Sequence, residues 1–273
     1  MSVPAAAAIA LTYPAGGVLV AGCGNIGGAV ARRFALAGVP VVVTYRDNAE
    51  RAEGLARELG ARGAAIHAQR LDFDDAAAVK DVVAASAERL GRLHTVVYCS
   101  GPAIPFLRVR EMAPEILAQH LQSDTLGCFR LFHHAIPALT ACGGGALIAC
   151  VTIANHRTLE TDGLSAIPKA AVESLMRQVA AEEAGNGIRA NAVAIGWVGG
   201  FAESFAQARE YTAAMTGPEG PATRALMERL MSFIRMGRPG SGAEAANIVA
   251  FLASQQASYV TGCVVPADGG AIL

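Results

Sequence analysis

The sequence predicts a single α/β domain built on a doubly wound parallel sheet with helices on both faces. Short runs of β-branched residues alternate with alanine-rich segments of helical period, the pattern of buried parallel strands joined by crossover helices. A glycine-rich turn, Gly22-x-Gly24-x-x-Gly27, follows the first of these runs and opens the first helical segment. A length of 273 residues suits one such sheet with one continuous core.

The strands are predicted where short apolar runs are bounded by glycine, proline or polar residues, and helices fill the intervals between them. A helix over 28–37 follows the glycine-rich turn. Residues 1–16 are predicted to form a flexible lead, because prolines and glycines interrupt an otherwise apolar stretch. The predicted strands are 17–21, 39–45, 65–71, 95–98, 146–151, 189–194 and 263–265.

Composition narrows the classes of function. The chain is 53% hydrophobic and 16% charged, which predicts a compact protein that buries part of its surface in a homo-oligomer. Basic residues are scattered singly and the formal net charge is -1, so we expect no nucleic-acid partner. The apolar stretch near the N-terminus has no basic residue before Arg32, unlike a signal peptide. No other run is long enough and apolar enough to span a bilayer. We therefore expect a cytoplasmic protein with no membrane partner.

The cysteines form no CxxC pair and lie mostly within apolar runs, so they are interpreted as small buried hydrophobic residues. We expect no metal site. The six cysteines are Cys23, Cys99, Cys128, Cys142, Cys150 and Cys263.

The glycine-rich turn has the context of a Rossmann-like dinucleotide site, because it joins a strand to a helix. Its glycines let the backbone approach a pyrophosphate, and the helix N-terminus offers free N–H groups. At the end of the second strand, Tyr45-Arg46 replaces the acidic residue that would bind ribose hydroxyls, and Arg46 can pair with a 2′-phosphate. This pattern favours NADP(H) over NAD(H). The alternatives are a turn without a ligand and a solvated surface arginine.

Several further stretches carry a family resemblance. Leu71-Asp72-Phe73 follows the third strand, Tyr98-Cys99-Ser100-Gly101 ends the fourth, and Gly187-Ile188-Arg189-Ala190-Asn191-Ala192-Val193 forms most of the sixth. Together with Asp268-Gly269-Gly270, these stretches resemble motifs of the short-chain dehydrogenase/reductase family. The resemblance covers the chain from Val18 to Gly270 and is to the family's 3-oxoacyl-(acyl-carrier-protein) reductase-like members in particular. The resemblance implies an oxidoreductase that forms a homotetramer or a homodimer.

The resemblance also implies which residues bind NADP(H). Asp72 would contact the adenine, and Lys169 would hold the hydroxyls of the nicotinamide ribose. The set implied for the cofactor is Gly22, Gly24, Asn25, Ile26, Gly27, Tyr45, Arg46, Asp72, Phe73, Cys99, Ser100, Gly101, Lys169, Gly196 and Val198.

The catalytic positions depart from the family pattern. Ser165 stands where the family has the tyrosine of Tyr-x-x-x-Lys, and only Lys169 is unaltered. The family's helix asparagine aligns with Asp124 and its serine with Thr152. Ser165 lies four residues before Lys169, hence on the same helical face. A serine hydroxyl is a far weaker acid than a phenol with a pKa of about 10, so it cannot simply replace the tyrosine as proton donor. Thr152, Ser165, Lys169 and Asp124 are the predicted catalytic residues.

Several groups could serve as the proton donor. Thr152 or Ser165 could pass a proton from a lysine-bound water, and His156 has an intrinsic pKa near neutrality. Asp124 is a candidate if burial raises its pKa. We expect Glu160 and Asp162 to be solvated charges or a helix cap, and Tyr98 to serve packing.

The segment 199–242, rich in glycine, proline and methionine, corresponds to the substrate lid of relatives. Its apolar side chains would suit an acyl chain or a ring system, or they pack the lid onto the core. Arg224 and Arg229 could meet the phosphopantetheine of an acyl carrier protein, or they could lie on an ordinary helix surface. The apolar residues are Phe201, Phe205, Met215, Met227, Met231 and Phe233.

Three classes of function follow. The favoured one is an atypical NADPH-dependent reductase of a carbonyl or conjugated thioester on a fatty-acyl or polyketide-like substrate, with enoyl or dienoyl thioester reduction as a variant. The second is a nucleotide-binding homologue without turnover, acting as a sensor or partner subunit. The third is a non-redox dehydratase or lyase that uses Asp124, His156 and Lys169 for acid–base chemistry.

Overall fold

A computed structural model describes residues 10–199, 229 and 231–273. Its described part contains one seven-stranded sheet in the order β3-β2-β1-β4-β5-β6-β7, and every neighbouring pair is parallel. The predicted doubly wound fold is therefore confirmed. The strands are β1 Gly17–Ala21, β2 Val41–Tyr45, β3 Ile66–Arg70, β4 Leu93–Tyr98, β5 Gly145–Thr152, β6 Ile188–Ile195 and β7 Val264–Ala267.

Helices cover both faces of the sheet. Helix α1 begins at Asn25, three residues earlier than predicted, because Gly24 already serves as its N-cap. Helix α5 follows a single π-helical turn, Leu121–Leu126. The helices are α1 Asn25–Leu36, α2 Ala49–Gly60, α3 Ala76–Leu90, α4 Pro114–His120, α5 Gly127–Ala141, α6 Gly163–Glu183 and α7 Gly242–Ala253.

The alternation of side chains along the strands divides the core into two layers. Leu19 faces the layer formed with α3, α5 and α6, whereas Val18 and Val20 face the layer formed with α1, α2 and α7. Both faces of the central strands are buried, which explains why these strands are continuous apolar runs. The sheet thus provides a rigid platform whose carboxyl edge holds the loops.

The carboxyl edge is set by strand register. Strands β5 and β6 pair from Gly145↔Ile188 to Thr152↔Ile195, so Thr152 and the Ile195-Gly196 pair end at the same level. The order of the strands reverses between β1 and β4, which lie side by side with Ala21 opposite Tyr98. In open parallel sheets, ligands bind at the carboxyl edge beside such a switch point.

The predicted flexible lead does not extend through residues 10–16. Leu11 and Tyr13 pack against the core layer of α1, and the Tyr13 ring meets Phe34 edge to face at 5.4 Å between ring centroids. The Gln255 N–H donates to the Thr12 carbonyl at 2.8 Å. The apolar residues of this stretch therefore belong to the domain core, which explains their hydrophobic character.

All six cysteines are free thiols, and Cys23, Cys128 and Cys150 are buried, as predicted for small hydrophobic side chains. Cys99, Cys142 and Cys263 are half-buried. Among the described residues, no group of three or more histidine, cysteine or acidic side chains is arranged to hold a metal ion. The described helices also include none with the length and apolarity needed to cross a membrane.

Candidate functional site

A cavity of about 270 Å³ opens where β1, β2 and β4 end. It lies at the switch point of the sheet, and its walls come from the glycine-rich turn and from the loops after β2, β3 and β4. Nine of the residues predicted for the cofactor line it: Gly22, Gly24, Tyr45, Arg46, Asp72, Phe73, Cys99, Ser100 and Gly101.

The glycine-rich turn has the geometry that brings a diphosphate close to the backbone. Gly22 has φ +106, a conformation that favours glycine, and a Cβ on Gly27 would lie 1.9 Å from the Gly22 carbonyl oxygen. A Cβ on Gly24 would meet no atom within 4 Å, so the turn is open on its outer side. No side chain caps the first turn of α1, which leaves N–H groups for an anion.

Two arginines reach this cavity. Arg46 Nε donates to the Asp47 carboxylate at 2.7 Å, and this bond raises the pKa of Arg46. Arg51, from the first turn of α2, donates to Asn25 Oδ1 at 3.3 Å. The sequence reasoning missed Arg51. The signal was Asn48, which caps α2 by accepting from the Arg51 N–H at 3.1 Å and so places residue 51 beside the cavity.

The other residues predicted for the cofactor do not line this cavity. Asn25 lines an adjoining cavity between α1 and α2, and Ile26 packs against the core. Gly27 provides the close approach within the turn, and Val198 pairs with Gly240 in an isolated parallel bridge. Lys169 and Gly196 line a second cavity, described below.

The residues of the first cavity fit a dinucleotide. The uncapped N-terminus of α1 and two guanidinium groups suit phosphates, and Asp72 lies on the adenine side of the site implied by the family pattern. Ser123 also lines this cavity, and its buried hydroxyl has no partner among the described residues.

Lys169 is held by a buried ion pair. Its Nζ lies 2.6 Å from Asp124 Oδ2, with the lysine side chain 12% exposed and the aspartate side chain fully buried. The Tyr98 hydroxyl donates to the Ser123 carbonyl at 2.9 Å and approaches Asp124 Oδ1 at 3.4 Å. Burial raises the pKa of Tyr98 well above its ordinary value, which keeps the phenol a neutral donor. Tyr98 is thus buried as expected, but it also supports the aspartate.

The π-helical turn joins this pair to α6. Thr125, the residue after Asp124, donates its hydroxyl hydrogen to the Pro168 carbonyl at 3.0 Å. Pro168 precedes Lys169 directly, so both members of the ion pair are anchored by neighbouring residues. The π-helical turn has no signature in the sequence, where this segment continues a helical pattern.

A second cavity, of about 280 Å³, opens beside the first. Thr152, Ser165 and Lys169, three of the four predicted catalytic residues, line it together. The fourth, Asp124, is buried behind the lysine. The apolar part of the wall consists of Ile104, Phe106, Val151, Ile153, Leu159, Ile195, Trp197, Phe233, Ile234 and Ala271.

The two hydroxyl groups of this cavity differ in their surroundings. Thr152 Oγ1 accepts from the Ala154 N–H at 3.2 Å, which leaves the threonine hydrogen free to donate. The Ser165 side chain is buried, and its hydroxyl has no hydrogen-bond partner within the described part of the chain. Both hydroxyls can therefore donate to an oxygen atom placed in the cavity.

Asp162 contradicts the expectation of a solvated charge or a helix cap. It is half-buried at the N-cap position of α6, and its side chain forms no cap hydrogen bond. It lines the same cavity as Ser165 and Lys169. Burial raises the pKa of Asp162 to about 6, although Lys169 acts to lower it. Sequence reasoning missed this residue because aspartate before a helix ordinarily indicates a cap.

His156 lies away from the cavity. Its Nε2 is 3.4 Å from Glu173 Oε1, and Asn155 Nδ2 donates to the same carboxylate oxygen at 2.8 Å. His156 contacts the buried Glu173 of α6 and is not among the residues that line the second cavity. Glu160 is exposed, as expected, and lies 3.5 Å from both Arg108 and Arg229.

Two of the six apolar residues predicted in the lid are described, in addition to Arg229. Phe233 lines the second cavity, and the Arg157 guanidinium lies over its ring at 4.3 Å from the centroid. Met231 packs against the core layer of α5 and α6. Phe201, Phe205, Met215, Met227 and Arg224 lie outside the described residues, as does most of the predicted lid over 199–242.

Comparison with known proteins gives relatives over almost the whole chain. A family model described as enoyl-(acyl carrier protein) reductase matches residues 20–271. The chain is similar to cis-4-hydroxycyclohexanecarboxylate dehydrogenase of Sinomonas cyclohexanicum, with 30% identity over 93% of this chain and 94% of that protein. It is also similar to the 3-oxoacyl-(acyl-carrier-protein) reductase FabG of Staphylococcus aureus, with 28% identity over 90% of this chain and 93% of that protein.

The fold has close counterparts among solved structures. A short-chain type dehydrogenase/reductase from Mycobacterium ulcerans superposes with a TM-score of 0.85 at 27% identity, covering 96% of this chain and 91% of that one. The sheet order and the glycine-rich turn are consistent with the family that these similarities indicate. The chain belongs to the short-chain dehydrogenase/reductase family of oxidoreductases.

Proposed function

We propose that this protein is an NADPH-dependent reductase of a carbonyl or conjugated thioester on an acyl-type or polyketide-like substrate. The observation that carries the proposal is the contact between the two cavities. Gly101 lines the dinucleotide cavity, and a Cβ at Gly101 would lie 3.4 Å from Lys169 Nζ, which lines the second cavity. A cofactor in the first cavity would therefore end beside the hydroxyl groups of the second.

The cofactor, when bound, supplies the hydride. The glycine-rich turn would hold its diphosphate, and Lys169 would orient the nicotinamide ribose. Arg46 and Arg51 favour a 2′-phosphate, because each offers charge-assisted hydrogen bonds at the end of β2 where an acidic residue would select NAD(H). These groups position the cofactor without any need for a tyrosine.

Thr152 and Ser165 would polarise the substrate. Their hydroxyls line the cavity next to Lys169, so they can donate hydrogen bonds to a carbonyl oxygen that gains charge as the hydride arrives. The apolar wall excludes water from that oxygen and strengthens the hydrogen bonds. The same arrangement would serve the reduction of an enoyl or dienoyl thioester, in which the thioester oxygen gains the charge.

The substrate class is inferred from the wall and from the relatives. An apolar cavity with a few polar groups at one end suits an acyl chain, as in the reductase of Staphylococcus aureus, and acyl carrier protein is then a partner. A second candidate is a compact ring acid, as in the Sinomonas dehydrogenase. Arg157 favours it, since this guanidinium lines the cavity and its described contacts are a carbonyl oxygen and an aromatic ring.

We also propose that the protein is a homo-oligomer, a dimer or a tetramer. Leu126, Phe129 and Ile167 are exposed large hydrophobic residues from the π-helical turn, α5 and α6. Burial of such residues against a second copy would remove them from water. Light scattering of the purified protein tests this proposal, and a monomer at micromolar concentration would contradict it.

The first test of the proposed function is NADPH binding, which is measured by fluorescence. Absence of binding would refute both a reductase and a nucleotide sensor. NADPH oxidation is then measured with 3-oxoacyl, enoyl and dienoyl thioesters and with a ring ketone that carries a carboxylate. Binding without oxidation by any of them would favour the sensor. Formation of an unsaturated product without cofactor consumption would favour a dehydratase, although His156 lies outside the cavity that such an enzyme would use.

A further inference from the structure

We propose that Asp162 exchanges the proton with the substrate oxygen in the second cavity, in the role left vacant by the serine at position 165. The inference rests on the proposed function, because it assigns a proton donor to that reduction. It adds a catalytic residue that the family pattern does not contain.

The position of Asp162 is the first argument. Asp162 lines the cavity that Thr152, Ser165 and Lys169 also line. The Ser165 and Ala166 N–H groups donate to the Asp162 carbonyl at 3.1 Å, so the residue is fixed to the first turn of α6, one turn before Ser165. Asp162 and Ser165 therefore border the cavity at the same end of α6.

A comparison with a second aspartate at a helix N-cap is the second argument. Asp75 caps α3, and its Oδ1 accepts from the Ala77 and Ala78 N–H groups at 2.9 and 3.0 Å. Asp162 occupies the corresponding position of α6, yet its carboxyl group forms no hydrogen bond among the described residues. A half-buried carboxyl group without a partner remains available to a ligand.

The backbone before Asp162 is the third argument. Thr161 has φ +70, the only positive φ of a non-glycine residue among those described. Its conformation is held from outside the loop, because the Leu107 N–H donates to the Thr161 carbonyl at 3.0 Å and Leu107 forms a parallel bridge with Asp162. Such conformations persist where the surroundings enforce them, and they concentrate at functional sites. The loop after β4 thus fixes the aspartate.

The charges around Asp162 suit a proton donor. Lys169 is the cation that acts on it, and the charge of Lys169 is already balanced by Asp124 at 2.6 Å. Burial therefore prevails, and the pKa of Asp162 rises to about 6. The other charged residues of the cavity wall are Arg157 and Glu160, and Glu160 pairs with Arg108 and Arg229.

The proton and electron balance is simple. The carbonyl carbon receives a hydride from the nicotinamide, which is oxidised, and the π electrons of the C=O bond move to oxygen. That oxygen takes the proton of the Asp162 carboxyl group to form an alcohol. Water at the cavity mouth then returns a proton to the carboxylate. In the reverse direction the Asp162 carboxylate accepts the hydroxyl proton.

The test compares Asp162→Asn with Asp75→Asn. Both variants remove one negative charge at a helix N-cap, and Asp75 lies outside both cavities. With a carbonyl substrate that the wild type reduces, Asp162→Asn should lower kcat by about 100-fold or more, with KM and NADPH affinity within about threefold. Asp75→Asn should retain wild-type rates, because asparagine also caps helices well.

The pH profile separates a proton donor from a structural residue. Reduction needs the protonated carboxyl group, so wild-type kcat/KM should fall about tenfold per pH unit above the pKa of Asp162. Asp162→Asn should lose this alkaline limb. In parallel, carbon-13 NMR of the aspartate carboxyl groups, assigned with Asp162→Asn or Asp162→Glu, should give a titration near pH 6 for Asp162.

The outcomes that contradict the two proposals differ. The proposed function is refuted if the wild-type protein binds NADPH but oxidises it with none of the ketone, 3-oxoacyl, enoyl or dienoyl substrates. A wild-type protein that reduces a substrate, with rate and alkaline limb unchanged in Asp162→Asn, refutes the role of Asp162 alone. An Asp162 carboxyl group that titrates near the ordinary value of about 4 also refutes that role, whether or not the variants fold.

Discussion

Replacing Asp124 with alanine should lower the free energy of unfolding by about 3 kcal/mol. Its carboxylate is fully buried and lies 2.6 Å from the ammonium of Lys169, which is 12% exposed. Removing one partner of a buried ion pair costs about 3–5 kcal/mol, since the remaining charge is left uncompensated in a poorly solvated site. The lower end applies here, because Lys169 borders a cavity that can admit water. Tyr98 keeps its hydrogen bond to the Ser123 carbonyl and adds little to the cost.

The assay is urea unfolding followed by circular dichroism, with equal m-values required for the comparison. The pair Asp124→Ala and Lys169→Met completes a double-mutant cycle, and the double variant should be more stable than Asp124→Ala alone by at least about 1 kcal/mol. Glu53→Ala is the control, because its partner Arg57 lies 3.7 Å away and both side chains are more than half exposed. That control should lose less than about 1 kcal/mol. A loss for Asp124→Ala as small as that of the control, or a strictly additive cycle, would refute the reasoning.

Further predictions concern the dinucleotide site and pH. Gly27→Ala should weaken NADPH binding and lower the Tm, because its Cβ would lie 1.9 Å from the Gly22 carbonyl oxygen. Gly24→Ala, with no atom within 4 Å of its Cβ, should lower the Tm far less in a thermal scan, by the cost of replacing a glycine N-cap with alanine. Arg46→Ala and Arg51→Ala should each raise the Kd for NADPH by about tenfold or more and that for NADH far less, as measured by fluorescence titration; equal losses would argue against 2′-phosphate binding. Burial lowers the pKa of His94 from 6.5 to about 4, so the fold keeps this side chain neutral and binds fewer protons than the unfolded chain. The free energy of unfolding should therefore fall by about 2–3 kcal/mol as the pH is lowered from 6.5 to 4.5, with a slope of about 1.4 kcal/mol per pH unit. In urea unfolding, His94→Phe should show a weaker dependence on pH over that range.

Much of the fold could be predicted from sequence because its signals are local. Each of the seven predicted strands overlaps a strand of the sheet, since buried parallel strands are continuous apolar runs bounded by turn residues. The meeting of Thr152, Ser165 and Lys169 in one cavity was also predictable. Helical spacing relates the serine to the lysine, and the carboxyl end of β5 brings the threonine to the same edge.

The rest of the site depends on contacts between distant segments. The environment of Asp162 is set by Leu107, which lies in another loop, and no local pattern indicates that this aspartate leaves its cap position unbonded. The placement of His156 depends on a buried glutamate in α6. Arg51 reaches the dinucleotide cavity only because α2 begins at Ala49. These properties arise from tertiary packing, which the local sequence around each residue does not indicate.

The ion pair of Lys169 and Asp124 also bears on how this site could change during evolution. A tyrosine introduced at position 165 would lie one helical turn before an ammonium whose charge the aspartate already balances. Such an ammonium lowers the pKa of a phenol less than an unpaired one would. The effect of a phenol at position 165 therefore depends on the residue at position 124. We expect substitutions at these two positions to be epistatic.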